Sequence, residues 1–336
     1  MHSRRRDRST HRQAEATRLL DRRELLKRAV AVLLSANPVD SPAQAQTIRR
    51  LVFVHGRSLQ VREPTSIRSE AAAALQEGAR KLGRTLPSGF EFALAYYGDR
   101  LDGFAARSNF PLASEIPPSR VREYEAFVTF QAKVAEQLRR KAGIRDEQVE
   151  AEYGRSAMPR TALNVRWVQA NLRALDKYGP GMTRTAVETF TRDVFLYATR
   201  ADVRQEIDRA VGRELEQPAV VVGHALGSVV AYNVLCGDAG ARVPLYVTVG
   251  SPLGMPAVRD LFLPLRSPWP PLGAWFNAFD SRDCLAMYAL DKINFPVGGA
   301  IENYGAVGNP TSDHHGVVGY LDDAAVAQKI LDALGA

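Results

Sequence analysis

Residues Ala219 to Leu235 read AVVVGHALGSVVAYNVL, and the order of residue types in this stretch decides the fold. Ala219–Val222 is a compact apolar, β-branched run, which suits a strand buried on both faces. Gly223 and Gly227 bracket His224, Ala225 and Leu226, and Ser228–Leu235 then takes on helical character. Strand, sharp turn and helix in such close succession lift one residue, Ala225, to the apex of the turn. Glycines on either side are needed because a side chain at those positions would run into the strand or the helix. The pattern is weak by itself, because strand–Gly–helix turns also open dinucleotide-binding folds.

Working outward, Leu51–Gly56 reads LVFVHG, a second compact apolar run, followed by the helix-compatible SEAAAALQEGARKLG and a further strand, FEFALAYYGD. Crossovers of this length require parallel pairing. The strands PLYVTVGS and WFNAFD and a closing helix AAVAQKILDALG complete an alternation that predicts a three-layer α/β sandwich with a mostly parallel central sheet. Residues 115–215 are charged and largely helical in pattern, broken at Tyr178–Gly181, and fit either a helical cap or ordinary crossover helices. The Pro-rich LPLRSPWPPLGAW reads as a loop.

Composition narrows the function classes. The chain has 336 residues, 46% hydrophobic and 24% charged, and a formal net charge of +7. That charge is local: residues 1–50 hold 12 Lys+Arg against 5 Asp+Glu, while the remaining 286 residues hold 32 of each. A neutral folded part with a basic leader lacks the electrostatic footprint of a nucleic-acid groove, so no nucleic-acid partner is expected. Cys236 and Cys284 are too few for a disulfide framework. Neither GxGxxG nor a P-loop follows a strand, which disfavours nucleotide binding, and no cofactor is expected. In residues 1–45, Arg22-Arg23, the short apolar Ala29–Ala36 and Ala43-Gln44-Ala45 are ordered like a twin-arginine export signal, implying a periplasmic or secreted protein. The alternative is a basic amphipathic helix on a cytoplasmic one. No run reaches the roughly 18 apolar residues of a membrane span.

Three further features gather around Ala225. The first strand ends in Val54-His55-Gly56-Arg57, and the turn after such a strand can aim a backbone N–H at a developing oxyanion; the N–H of Leu226 would supply the second donor. Acidic residues follow an apolar strand in NAFDSRDCLAM, and histidines precede the last helix in SDHHGVVGYL. Turn, acid, histidine is the chain order of a Ser-His-Asp hydrolase built on a parallel sheet. Asp283 and its neighbour Asp280 are the candidate acids, and His315 and His314 the candidate bases. A His-His pair without further ligands is a poor metal site, and no metal is expected.

The segments VFVHGRS, YYGD, VVGHxLGSVVAYNVL, VTVGSPLG, NAFDSRD and NPTSDHHGVVGYLDD together resemble a family of uncharacterised bacterial α/β-hydrolases, lipase- or esterase-like, over about residues 50–336. The resemblance implies the α/β-hydrolase fold and acyl-ester or lipid hydrolysis, with Asp283 as the acid ahead of Asp280 and His315, five residues before Tyr320 as in such hydrolases, as the base ahead of His314; it supplies neither substrate nor oligomeric state. Members carry serine at the apex, so Ala225 is this chain's departure. As written, the chain is expected to bind a small-molecule or lipid acyl substrate and barely turn it over, either as a silenced form of an active hydrolase or as a natural pseudoenzyme with a binding or scaffolding role. His55, Tyr97 and Trp269 are candidate pocket residues, with Tyr96, Asp99 and Trp275 as further candidates, and His224 is expected to pack under the turn. Ser228 and Cys236 lie in the following helix and cannot replace the missing hydroxyl.

Overall fold

In a computed structural model, residues 48–56, 63–156, 158–179, 181, 183–270 and 272–335 are described. Six strands form one all-parallel sheet in the order β2-β1-β3-β4-β5-β6, comprising β1 (Arg50–Val54), β2 (Glu91–Ala95), β3 (Val220–His224), β4 (Leu245–Val249), β5 (Ala274–Ala278) and β6 (Ile301–Tyr304). The three-layer α/β expectation is met, and every described pairing is parallel.

The alternation of side chains along each strand builds two cores. Leu51, Phe53, Val220, Val222, Val247 and Phe276 face α1 (Pro64–Lys81) and the C-terminal pair α10 (Val317–Leu321) and α11 (Ala324–Ala333). Val52, Val54, Val221, Tyr246 and Trp275 face the other helical layer, which includes α2 (Gly98–Arg107), α7 (Ala201–Glu214), α8 (Leu226–Leu235) and the short α9 (Pro256–Arg259). Because both faces are covered, the strands read as continuous apolar runs rather than as alternations.

Residues 48–336 form a single compact unit, so the helical segment 115–215 is not a separate body. Within it, α7 is a crossover helix packed against β2 and α8. The helices α3 (Glu125–Lys141), α4 (Asp146–Tyr153), α5 (Val165–Tyr178) and α6 (Arg184–Thr199) pack on one another and share the sheet's second core. The turn between α5 and α6 reaches far across the chain. A Cβ on Gly181 would overlap the carbonyl oxygen of Ser312 and stand 3.1 Å from Cα of Asp313. The inserted helices therefore abut the loop that carries the candidate base.

The chain order places β1 in the interior, with β2 on one side and β3 to β6 on the other. The direction of winding thus reverses between β1 and β3, and in open α/β sheets the crevice beyond the C-terminal ends of such strands is where ligands bind. The N-terminal segment that resembles an export signal lies outside the described residues, as does Arg57. Among the described residues, no helix is long and apolar enough to cross a membrane.

Candidate active site

At the reversal point, β3 runs out at His224 and α8 begins at Leu226, leaving Ala225 alone to turn the chain. Ala225 has φ 49° and ψ −126°, a conformation open to glycine and strained for any residue with a Cβ. The turn is bolted from both sides: Ala225 N–H donates to Val249 O at 3.2 Å, and Ser228 donates to Ala225 O from its N–H at 3.0 Å and from its hydroxyl at 2.6 Å. The Ser228 hydroxyl also meets that of Ser251 at 2.7 Å. Buried and engaged in this way, Ser228 holds the turn and has no path to its apex. Cys236 lies at the far end of α8.

Close approach explains the flanking glycines. A Cβ on Gly227 would overlap Val54 O and stand 2.5 Å from His55 O, and one on Gly223 would stand 2.7 Å from Cα of Ser228. The start of α8 can therefore rest directly on the end of β1. Gly56 completes the contact, since a Cβ there would lie 2.6 Å from Cβ of Ala225. The Leu226 N–H is the first of the helix, one of the donors that an α-helix leaves without internal partners. Gly56 and Leu226 thus flank the Ala225 methyl group.

Asp283 and His315 meet here. Nδ1 of His315 lies 2.7 Å from Oδ2 of Asp283, so Nδ1–H donates and Nε2 is the nitrogen left for proton exchange. Asp283 is fully buried, and its other oxygen, Oδ1, accepts from Leu285 N–H at 3.0 Å. The imidazole lies over Gly250, the residue after β4, where a Cβ would stand 3.2 Å from its Nδ1 and Cε1. Since Val249 holds the Ala225 N–H, His315 and the turn share one strand end. Burial opposes the imidazolium, but the neighbouring Asp283 carboxylate and its hydrogen bond outweigh it and raise the His315 pKa above the ordinary value.

His314 points elsewhere. At φ 55° it turns its Nδ1 to Asn309 O at 3.0 Å. Asp280 is committed to structure: it takes a bidentate hold from Arg282 at 3.0 and 2.6 Å and the Asn309 N–H at 2.8 Å. Despite burial, those donors hold its carboxyl below the usual range.

His224 packs beside His315, with ring centroids 4.8 Å apart. Its Nε2 is 2.8 Å from His315 O, and a carbonyl can only accept, so Nε2 carries the proton. Although the residue keeps some solvent contact, enclosure of the ring, with the His315 imidazole adding to it, pushes its pKa down to about 3.

The proposed pocket residues prove to be placed differently. His55 donates from Nδ1 to Gly56 O at 2.8 Å and accepts the Tyr97 N–H at Nε2 at 3.3 Å. Tyr97 is fully buried and spends its hydroxyl on His55 O at 2.7 Å. With no exposed surface, Tyr97 cannot line a pocket; the two residues brace the Gly56 turn from behind. Trp269 is also displaced from the expected pocket. Its indole N–H points to Gly273 O at 3.4 Å and its ring packs on Gly299, residues that precede β5 and β6. In a parallel sheet those positions mark the N-terminal end, opposite Ala225. Trp275 is core, bonded to Thr248 Oγ1 at 3.0 Å. Tyr96 stacks on His55 at 5.0 Å, and Asp99 is exposed.

Asn309 and Tyr320 contribute parts that sequence reasoning did not assign. Asn309 bonds the Gly316 carbonyl at 2.8 Å and the Thr311 hydroxyl at 2.7 Å, and so shapes the histidine loop. Its only sequence signal is its place at the head of NPTSDHH. Tyr320 donates to Asp283 Oδ2 at 2.6 Å. Among the described residues, no group of three or more His, Cys, Asp or Glu side chains is arranged to hold a metal ion. No family model, curated protein or solved structure matches the chain.

Proposed function

We propose that this chain is an α/β-hydrolase of the carboxylic-ester class, acting on acyl esters or lipids, with alanine where the nucleophile belongs. The observation that carries this reading is the strained backbone of Ala225 beside a buried Asp283–His315 pair. A chain that needed only to turn from strand to helix would place glycine there and avoid the strain. Holding a Cβ at that apex has a use when the side chain must project toward a base.

With serine at 225, Nε2 of His315 would take the hydroxyl proton as the oxygen attacks an acyl carbonyl. Asp283 would hold the imidazole tautomer and stabilise the imidazolium. The Leu226 N–H and the backbone at Gly56–Arg57 would hold the oxyanion, and the imidazolium would return its proton to the departing alcohol. Water, activated by the same nitrogen, would then release the acid. Alanine offers no hydroxyl, and loss of the serine from such a triad costs roughly 10⁶ in turnover in subtilisin. The present chain therefore binds acyl substrate without consuming it. The same methyl group favours a second reading, a pseudoenzyme that uses the intact crevice to engage a ligand or partner.

The test is Ala225→Ser, challenged with an active-site fluorophosphonate and with short- and long-chain acyl esters. Covalent labelling and turnover confined to the serine form support the hydrolase reading. A folded serine variant inert to both would favour the binding role, and equal labelling of both forms would place the nucleophile elsewhere.

A further inference from the structure

We propose that Tyr320 is a positioning residue for the base, its hydroxyl setting how firmly Asp283 holds the His315 imidazolium. This inference rests on the hydrolase reading. Oδ2 of Asp283 receives two donors, His315 Nδ1–H at 2.7 Å and the Tyr320 O–H at 2.6 Å. The phenol oxygen in turn accepts the Asp280 N–H at 3.2 Å, which aims its own proton at Asp283. Tyr320 is fully buried in α10, only five residues after the base. Burial, and then the Asp283 charge, push its phenol far above the ordinary range, so it stays a donor at every working pH.

A donor on a carboxylate draws off part of its negative charge. Two donors on one oxygen divide what that oxygen can offer, so Tyr320 weakens the attraction that raises the base's proton affinity. Without it, Asp283 would hold a proton on His315 longer, and less neutral base would exist at neutral pH. Tyr320 also fixes the carboxylate's rotation, because Oδ1 is tied to the Leu285 N–H and Oδ2 to the phenol. The charged and titratable groups that face the imidazole are Asp283 from the segment after β5, Asp313 from its own loop, and His224 from the end of β3. Asp313 accepts the His315 backbone N–H at 3.1 Å and, among the described residues, is the one other carboxylate that acts on the ring. The Tyr320 ring also packs on that of His224, with centroids 6.3 Å apart, so a variant that keeps the ring and deletes the hydroxyl removes only the bond to Asp283 and the one from the Asp280 N–H.

The test uses the chain as it stands, with Ala225 in place, and follows the His315 ring by NMR through a pH titration. Tyr320→Phe keeps the ring and deletes the donor; the His315 midpoint should rise by about one unit. Replacing Tyr320 alone with 3-fluorotyrosine, a stronger donor, should move it downward. In the Ala225→Ser protein, the acid limb of kcat should shift in the same directions while KM stays near its starting value. A His315 midpoint that stays put, or falls in Tyr320→Phe, overturns the proposal. If Tyr320→Phe does not fold, the fluorotyrosine form decides, and no movement there overturns it equally. The two readings fail separately: a shifting midpoint in a protein whose serine form never hydrolyses esters sinks the hydrolase reading, whereas turnover with an unmoved midpoint sinks only the role of Tyr320.

Discussion

Nε2–H of His224 donates to the backbone carbonyl of His315 across 2.8 Å, so the residue before the turn apex holds the loop that carries His315. The bond links the end of β3 to a segment 91 positions later, and the protonated ring would keep it; it is the enclosure of the ring, with the His315 imidazole beside it, that opposes the charge. Because enclosure pushes the folded-state pKa from 6.5 down to about 3, the unfolded chain binds the proton more readily. Stability carried by His224 is therefore full above pH 6.5 and is lost as pH falls toward 3. His315 has the opposite sign: its raised pKa stabilises below its unfolded value, and that contribution disappears as pH rises through the folded one.

His224→Phe should remove the acid-side loss while leaving the His315 carbonyl without its donor. At pH 7.5 the variant should be less stable by about 1–3 kcal/mol, the cost of an unsatisfied buried polar group. On acidification from pH 7 to 5, its urea midpoint should fall less steeply than that of the parent. Parallel slopes would show that His224 does not carry the titration.

The strain at Ala225 predicts a stabilising glycine. At φ 49° and ψ −126°, Ala225→Gly relieves about 1–3 kcal/mol of backbone strain and costs about 0.4–1 kcal/mol in unfolded-state entropy. The net should be a gain of about 1 kcal/mol, read as a higher denaturant midpoint with an unchanged slope. A loss would mean that the turn is relaxed.

Two further glycines separate contact from propensity. Gly227→Ala would drive a methyl group into Val54 O and should destabilise by about 3 kcal/mol or more, because the obstacle is backbone and cannot move aside. Gly212→Ala, in α7 with nothing within 4 Å of the new methyl, should stabilise by about 0.5–1 kcal/mol. Similar effects at both sites would show that α8 does not bear on β1.

The layered fold was legible because the core strands are short apolar runs, with glycine closing β1 at Gly56 and β4 at Gly250, and because crossover lengths force parallel pairing. The turn was legible for the same reason: Gly223 and Gly227 record contacts that no side chain survives. Asp283 and His315 could be ranked above their neighbours, but only the three-dimensional arrangement separates them, because Asp280 and Asp283 share one composition of surroundings in NAFDSRDCLAM. What sequence could not convey was which end of a strand an aromatic residue occupies. Trp269 and Tyr97 have the residue type of a pocket lining, yet one packs at the N-terminal edge of the sheet and the other is sealed behind His55. Tyr320 was visible only as a spacing marker, since its hydrogen bond depends on how α10 folds back under Asp283.

The last prediction sets the two histidines and two aspartates against each other in the Ala225→Ser protein. His315 alone has its Nδ1 on a buried carboxylate and its ring over the strand end that holds position 225, so His315→Ala should abolish most ester turnover. Asp283→Asn should follow it, with a loss on the order of 10⁴ in kcat, because an amide cannot enforce the tautomer or balance the imidazolium. His314→Asn keeps a side chain that tolerates the positive φ of that position and removes only a loop contact to Asn309 O; turnover should fall several-fold at most. Asp280→Asn loses the charge that Arg282 grips and slackens the Asn309 anchor, so thermal stability should drop more than kcat. The raised pKa of His315 fixes the sign of the pH profile: turnover needs the neutral ring, so kcat/KM should fall on the acid side with an apparent pKa above 6.5. Full activity in His315→Ala with loss in His314→Asn would reverse the assignment of the base, and full activity in His315→Ala and Asp283→Asn together would remove the triad from this crevice.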